Sequence, residues 1–220
     1  IPFNKVTGFI PSFSINTKAS ITPTKAQVDS AFNIIVDEFL VSIDSLFALN
    51  QVPGVAISIV KDGEVVENRV WGYSALNTRK KLDTLSVFRL ASVSKGFAPF
   101  IVGKLVDRGF IHWDDPVKKY LPNFQLHSNS ATENLTLRHL LSHTTGLPRH
   151  TFSNLLDQEQ DINLIVQKLK EVPLSHTPGS YYDYQNVTYG LLANVVESVT
   201  KRSYSQLLKE WIFEPAGMNT

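Results

Sequence analysis

Leu90-Ala91-Ser92-Val93-Ser94-Lys95-Gly96-Phe97 reads S-x-x-K at the head of an apolar segment of helical length. A serine hydroxyl is a weak nucleophile at neutral pH and needs a partner to take its proton. A lysine three residues on lies over the same helix face, within reach of that hydroxyl. A serine in the first turn also has a backbone N–H that the helix does not use, which can hold a developing oxyanion. The spacing suits nucleophilic acyl transfer, although alone it also describes a surface helix cap.

Downstream of Ser92 the residues Phe97, Ile101, Val102 and Leu105 share one helical face to about Arg108, and Gly109 ends the run. Pro99 falls inside it. Its missing N–H would have bonded the Lys95 carbonyl, so a bend is expected just after the serine. Upstream, residues 75 to 85 read as a polar loop. Before them, Val55 to Val60 and Val65 to Trp71 are strand-like runs joined by Asp62-Gly63, the turn pair of a two-residue hairpin. Pro53-Gly54 separates this hairpin from an amphipathic helix ending near Asn50, with Val28, Phe32, Ile35, Phe39, Ile43 and Leu46 as its inward stripe. Thr24 and Gln27 match its capping box. Residues 1 to 22 read as an extended arm.

Beyond Gly109 the chain is almost entirely helical in pattern. Asp114-Asp115-Pro116 opens a short element and Leu121-Pro122 closes it. Leu135 to Leu141 forms a helix running into the turn Ser142-His143-Thr144-Thr145-Gly146-Leu147-Pro148. Residues 149 to 160 are polar, and 162 to 169 form another helical patch. Thr177-Pro178-Gly179 turns the chain into Tyr181-Tyr182-Asp183-Tyr184-Gln185-Asn186. A helix from about Val187 turns Leu191, Leu192, Val195, Val196 and Val199 inward, and a last one, Tyr204 to Phe213, starts at a Ser203/Gln206 capping box.

With 220 residues, 43% hydrophobic and 19% charged, the chain can bury a substantial core. A formal net charge of +1 without a basic stripe argues against a nucleic-acid partner. The absence of cysteine excludes disulfides, thiolate metal sites and a cysteine nucleophile. No apolar run is long enough to span a bilayer. The chain opens at Ile1 with neither an initiator methionine nor a signal-peptide pattern, so the expectation is either a removed leader or a trimmed sequence.

The ordered set of motifs resembles the serine β-lactamase and penicillin-binding protein superfamily, on the class C side with its esterases and D-amino-acid peptidases. The matching pieces are the hairpin, Ser92-Val93-Ser94-Lys95, Asp114-Asp115-Pro116, Tyr120-Leu121-Pro122 and Leu140-Leu141-Ser142-His143-Thr144-Thr145-Gly146-Leu147-Pro148. They continue through Pro178-Gly179, Tyr184-Gln185-Asn186-Val187-Thr188-Tyr189-Gly190 and Ile212-Phe213-Glu214-Pro215-Ala216-Gly217-Met218. The resemblance implies an α+β fold, an antiparallel sheet flanked by helices plus a mainly helical lobe. It also implies a serine hydrolase that forms an acyl-enzyme on an amide or ester of a small-molecule or peptide substrate, outside the cytoplasm, without metal or organic cofactor. Carried onto this chain, Ser92 is the nucleophile, and Lys95 holds positive charge or accepts its proton. Tyr184 and Asn186 fill the Tyr-x-Asn motif. A lysine cation beside Tyr184 favours its phenolate, and either Lys95 or Tyr184 can be the base. Asn186 orients Lys95 and bonds the substrate amide. β-Lactam, D-amino-acid peptide and carboxylic ester remain open as substrates.

On this reading residues 1–22 are an arm and 23–220 a partial catalytic domain, with helix and hairpin over 23–90 and the helical lobe over 91–220. The Lys/His-Thr/Ser-Gly strand of the resembled family has no counterpart before Thr220, and His143-Thr144-Thr145-Gly146 is not taken for it. The expectation is therefore a longer protein, or a second polypeptide segment completing the sheet, with Val55, Ile57, Ile59 and Val65 left facing water or that partner. Two rivals stand beside this reading. His139 and His143 are four apart, the spacing of two zinc ligands on one helix. A non-catalytic binding or scaffold protein could also keep the fold.

Overall fold

The computed structural model describes residues 25–49 and 52–218; the expected arm over 1–22 and the Thr24 cap lie outside them, as does the Gln27 side chain. The chain divides between Ser86 and Val87 into two compact units.

The first unit opens with helix α1, Lys25–Leu49. Strands β1, Gly54–Lys61, and β2, Glu64–Ala75, then form an antiparallel hairpin with Lys61 opposite Glu64. Asp62 and Gly63 take φ of 54° and 83°, the left-handed pair that a two-residue turn of matching twist requires. The register shifts between Ile59 and Val60, which leaves Val66 as the extra residue of a bulge. Lys80–Lys81 forms a third strand, β3, against Tyr73 and Ala75, in a stretch expected to be loop; two lysines carry no strand pattern of their own. The sheet order is β1-β2-β3.

Two expectations for this unit are corrected. The inward stripe of α1 runs through Phe32, Val36, Leu40, Ile43 and Phe47, while Val28, Ile35, Phe39 and Leu46 are exposed. The helix carries two overlapping apolar stripes that share Phe32 and Ile43, and periodicity alone does not choose between them. The strand face with Val55, Ile57 and Ile59 is also not turned away from the helix. Lys61, on that face, pairs with Asp29 and lies over the Phe32 ring, and Trp71, opposite Val55, donates its indole N–H to Asp44 at 2.6 Å. These three residues are half-buried, and it is Val60 and Val65 that are exposed.

The second unit is helical. A 3₁₀ turn, Ala91–Gly96, leads into α2, Phe97–Asp107. There follow α3 (Val117–Tyr120), α4 (Asn129–Asn134), α5 (Leu137–Leu141), α6 (Ser153–Asp157), α7 (Ile162–Gln167), α8 (Val187–Thr200) and α9 (Tyr204–Leu208). α9 continues as a wider turn over Lys209–Phe213, and the Ser203/Gln206 capping box is present. Ile101, Val102 and Leu105 of α2, Leu137 and Leu140 of α5, and Leu192, Val195 and Val196 of α8 are sealed in one cluster. Each such side chain contributes about 1.5–3 kcal/mol on burial. The bend expected at Pro99 is instead a change of winding, from 3₁₀ to α, at the Gly96/Phe97 junction. Pro99 then stands in the first turn of α2, where an N–H has no helical partner to lose.

Candidate active site

Ser92 and Lys95 both lie on the 3₁₀ turn. Three residues per turn stack positions i and i+3 one above the other, so the S-x-x-K spacing aligns the two side chains more directly than an α-helix would. Ala91, immediately before the serine, has φ 46°, a left-handed conformation that costs a non-glycine residue about 1–2 kcal/mol. Ser92 is exposed at the head of the turn. Its backbone N–H precedes the first 3₁₀ bond, which runs from Val93 N to the Leu90 carbonyl at 3.0 Å.

Tyr184 and Asn186 come from the irregular segment leading into α8, with Asn186 at its N-cap position. The Tyr184 hydroxyl donates to Ser92 Oγ at 2.8 Å. Lys95 Nζ donates to Asn186 Oδ1 at 2.8 Å and, weakly, to Ser92 Oγ at 3.4 Å. The ammonium also lies 5.0 Å from the centre of the Tyr184 ring. The four side chains expected from the sequence thus form one connected group across more than ninety residues of chain. Partial burial pushes the Tyr184 phenol up, but the bonds from Lys95 and Ser92 and the Lys95 charge together outweigh it and hold the phenol below its ordinary value.

Four further residues support this group, and none was singled out for it from sequence. Tyr189, one turn into α8, donates its hydroxyl to the Lys95 carbonyl at 2.7 Å. Burial and the neighbouring Tyr184 push its phenol up, so it remains a neutral donor. Ser153 of α6, in a stretch expected to be merely polar, accepts from Asn186 Nδ2 at 3.3 Å. Gln185 is buried and donates to the Leu147 and Pro148 carbonyls at 3.2 and 2.7 Å. His143 accepts the Gln185 N–H on Nδ1 at 3.1 Å. No local signal marks either residue: His143 stands between Ser142 and Thr144, and Gln185 between Tyr184 and Asn186.

The Ser142–Pro148 turn is therefore a clamp on the Tyr184 segment. Gly179 N donates to Thr144 O and Asp183 N to His143 O, both at 2.8 Å, and Ser175 N donates to Gly146 O at 2.8 Å. Gly146 has φ 83°, and a Cβ there would sit 2.2 Å from the His176 carbonyl oxygen, so only glycine fits. The zinc spacing does not survive folding. α5 ends at Leu141 and His143 has φ 57°, so the two imidazoles do not share a helix face. Each Nδ1 already accepts a backbone N–H, that of His139 from Thr136 and that of His143 from Gln185. Among the described residues no cluster of three or more histidine or carboxylate side chains could hold a metal ion. A polar cavity of about 650 Å³, lined by Ser128, Asn134, His139 and His176 among others, lies in the same unit, but none of the four site residues lines it.

The Beta-lactamase family model matches residues 43–220. The chain belongs to the Beta-lactamase family. Penicillin-binding protein 4* of Bacillus subtilis is 34% identical over 163 residues, 71% of this chain and 35% of that protein. Among solved structures, the octameric penicillin-binding protein homologue from Pyrococcus abyssi aligns with a TM-score of 0.75 at 29% identity, covering 84% of this chain and 43% of that one. The D-alanine carboxypeptidase AmpC from Burkholderia cenocepacia aligns with a TM-score of 0.70 at 25% identity, covering 85% and 49%. The fold is accordingly the α+β fold of this family, as the order of motifs implied. The chain spans about a third of the length of the curated relatives it matches. No helix among the described residues is long and apolar enough to cross a membrane.

Proposed function

We propose that this chain carries the acylating centre of a serine hydrolase working outside the cytoplasm on amide carbonyls, of D-amino-acid peptides and of β-lactams. The observation that carries the reading is the 2.8 Å approach of Tyr184 Oη to Ser92 Oγ beside the Lys95 ammonium. With Tyr184 ionised, that bond reverses and Ser92 donates. The serine oxygen then attacks the carbonyl carbon while its proton passes to the phenolate, and the oxyanion is held by the Ser92 N–H. The C–N bond breaks as the amine takes the proton from Tyr184. Water, deprotonated by the same phenolate, next attacks the acyl carbon; the ester C–O bond breaks, Ser92 Oγ takes the proton back from Tyr184, and the carboxylic acid leaves. Lys95 acts as a fixed positive charge in this scheme, because its Nζ is engaged by Asn186 Oδ1 and is farther from Ser92 than the phenol is. Asn186, anchored through Ser153 on Nδ2, holds Lys95 through its Oδ1. The names of the relatives, penicillin-binding proteins and a D-alanine carboxypeptidase, support the choice of amides.

The test is covalent labelling of the full-length protein with a fluorescent penicillin, an ester probe and a D-alanyl-D-alanine peptide, followed by mapping of the adduct. An adduct on Ser92 that disappears in Ser92→Ala at unchanged melting temperature is expected. An adduct on another serine removes the assignment. Labelling by the ester alone reassigns the substrate, and no adduct with any probe favours a non-catalytic protein of this fold.

A further inference from the structure

His143 touches neither Ser92 nor Lys95 through any hydrogen bond, yet it meets the Tyr184 segment at three points. Its backbone carbonyl accepts the N–H of Asp183 at 2.8 Å, the residue before Tyr184. Its Nδ1 accepts the N–H of Gln185 at 3.1 Å, the residue after. Its ring lies between the two tyrosines of the site, 4.5 Å from the centre of Tyr184 and 5.0 Å from that of Tyr189, with Tyr182 edge-on at 5.8 Å. Backbone and side chain of one residue thus grip both neighbours of Tyr184 and one face of its ring.

This grip is directional. The side-chain bond needs an unprotonated Nδ1, and that nitrogen is buried against a backbone donor with no other acceptor assigned to it. Burial and the nearby Lys95 charge both hold the imidazole below its ordinary pKa, which keeps it neutral. His143 has a left-handed φ of 57°, a conformation that asparagine tolerates better than most residues do.

We infer that His143 is a positioning residue for the reaction: its Nδ1 acceptor fixes the Tyr184 phenol against Ser92 by holding the Gln185 N–H. The inference rests on the proposed role of Tyr184 and assigns that role a support outside the reacting groups. A misplacement of about 1 Å at a reacting group can cost on the order of a hundredfold in rate. The Nδ1 bond is therefore a determinant of rate as well as of packing.

Two variants separate the acceptor from the ring. His143→Phe keeps a ring between Tyr184 and Tyr189 but offers no acceptor. His143→Asn gives up the ring, places an amide oxygen where Nδ1 was, and suits the positive φ. In the full-length protein, acylation of Ser92 by a penicillin probe is expected to slow at least about tenfold in His143→Phe and to stay within about threefold of wild type in His143→Asn. In a Tyr184→Phe background, His143→Phe is expected to add nothing, because the residue it positions is gone. A purely structural role would slow both backgrounds alike, and that result overturns the inference. So does a folded His143→Asn variant that acylates more than about tenfold slower than wild type, a criterion that stands even where His143→Phe fails to fold. If Tyr184→Phe alone acylates at the wild-type rate, the proposed chemistry fails instead, and the fault lies there and not with His143. A ¹⁵N spectrum of the imidazole gives an activity-independent readout. A protonated Nδ1, or no coupling from Nδ1 to the Gln185 amide, removes the bond on which everything here depends.

Discussion

In the helical unit a continuous cluster from Ala98 to Leu207 is sealed from solvent, whereas in the hairpin unit only Val36 and Leu40 are buried among the described apolar residues. The same contrast holds for backbone pairing. α5 and α9 begin with complete capping boxes, while β1 pairs only with β2 among the described strands. Ser92, Lys95, Tyr184 and Asn186 all belong to the sealed unit. Holding reacting atoms to within about half an ångström needs neighbours that cannot move, and close-packed cores supply that rigidity. The proposed chemistry thus borders the sealed cluster, although the turn that carries Ser92 buries none of its own residues.

The most severe way to probe this contrast leaves packing alone and removes a reacting group from the helical unit. Tyr184→Phe and Lys95→Ala should each slow acylation of Ser92 by about 10²–10⁴-fold in rapid-mixing measurements with a chromogenic β-lactam. Because Lys95 acts in the proposed scheme by favouring the Tyr184 phenolate, the double variant should be little slower than either single one. Fully multiplicative losses would mean that the two act independently.

A smaller effect compares packing directly. Leu140→Ala, at a fully buried position, should lose about 2–5 kcal/mol in urea denaturation and carry acylation down with it. Ile35→Ala, 62% exposed on α1, should change stability by no more than about 0.5 kcal/mol, since alanine is also the better helix former. Equal losses at the two positions would erase the difference between the units and would restore Ile35 to the inward stripe.

The smallest expected effect is a response to pH. All six histidines of the chain follow Val87. His143 faces Tyr182, Tyr184, Tyr189 and Lys95, and its pKa is lowered from 6.5, first by burial and then by Lys95. A depressed folded pKa means that the unfolded chain binds the proton more readily. Stability is then fully present above 6.5 and declines as pH falls from there toward the folded value. His139, lowered chiefly by burial, acts in the same sense. Melting temperatures taken from pH 8 down to 5 should therefore fall, and His143→Asn should flatten part of the decline. An unchanged slope in that variant would show that His143 is not buried neutral.

The parts of the molecule legible in the sequence were those written locally. S-x-x-K, Tyr-x-Asn, the Asp62-Gly63 turn and the Ser203/Gln206 box each specify their geometry within a few residues. What escaped depends on groups far apart along the chain. His143 and Gln185 meet across 42 residues, and Asn186 and Ser153 across 33, with nothing in either local sequence to announce the other. The stripe of α1 was misread for a different reason: seven exposed large apolar residues on one helix leave its period ambiguous, and only the contacts of Asp29, Phe32 and Asp44 with the hairpin decide it.

Pro99 has one more consequence. In a continuous α-helix the residue at 99 would offer its N–H to the Lys95 carbonyl from within the same turn, at an effective concentration that a side chain 94 residues away could not match. Proline deletes that competitor. The carbonyl behind Lys95 is thereby shared between the Phe97 N–H and the Tyr189 hydroxyl, and the long-range bond forms without a rival at position 99. The contact joins the turn carrying Ser92 to the helix that begins at Asn186, so the two halves of the site are tied by an atom the chain leaves out.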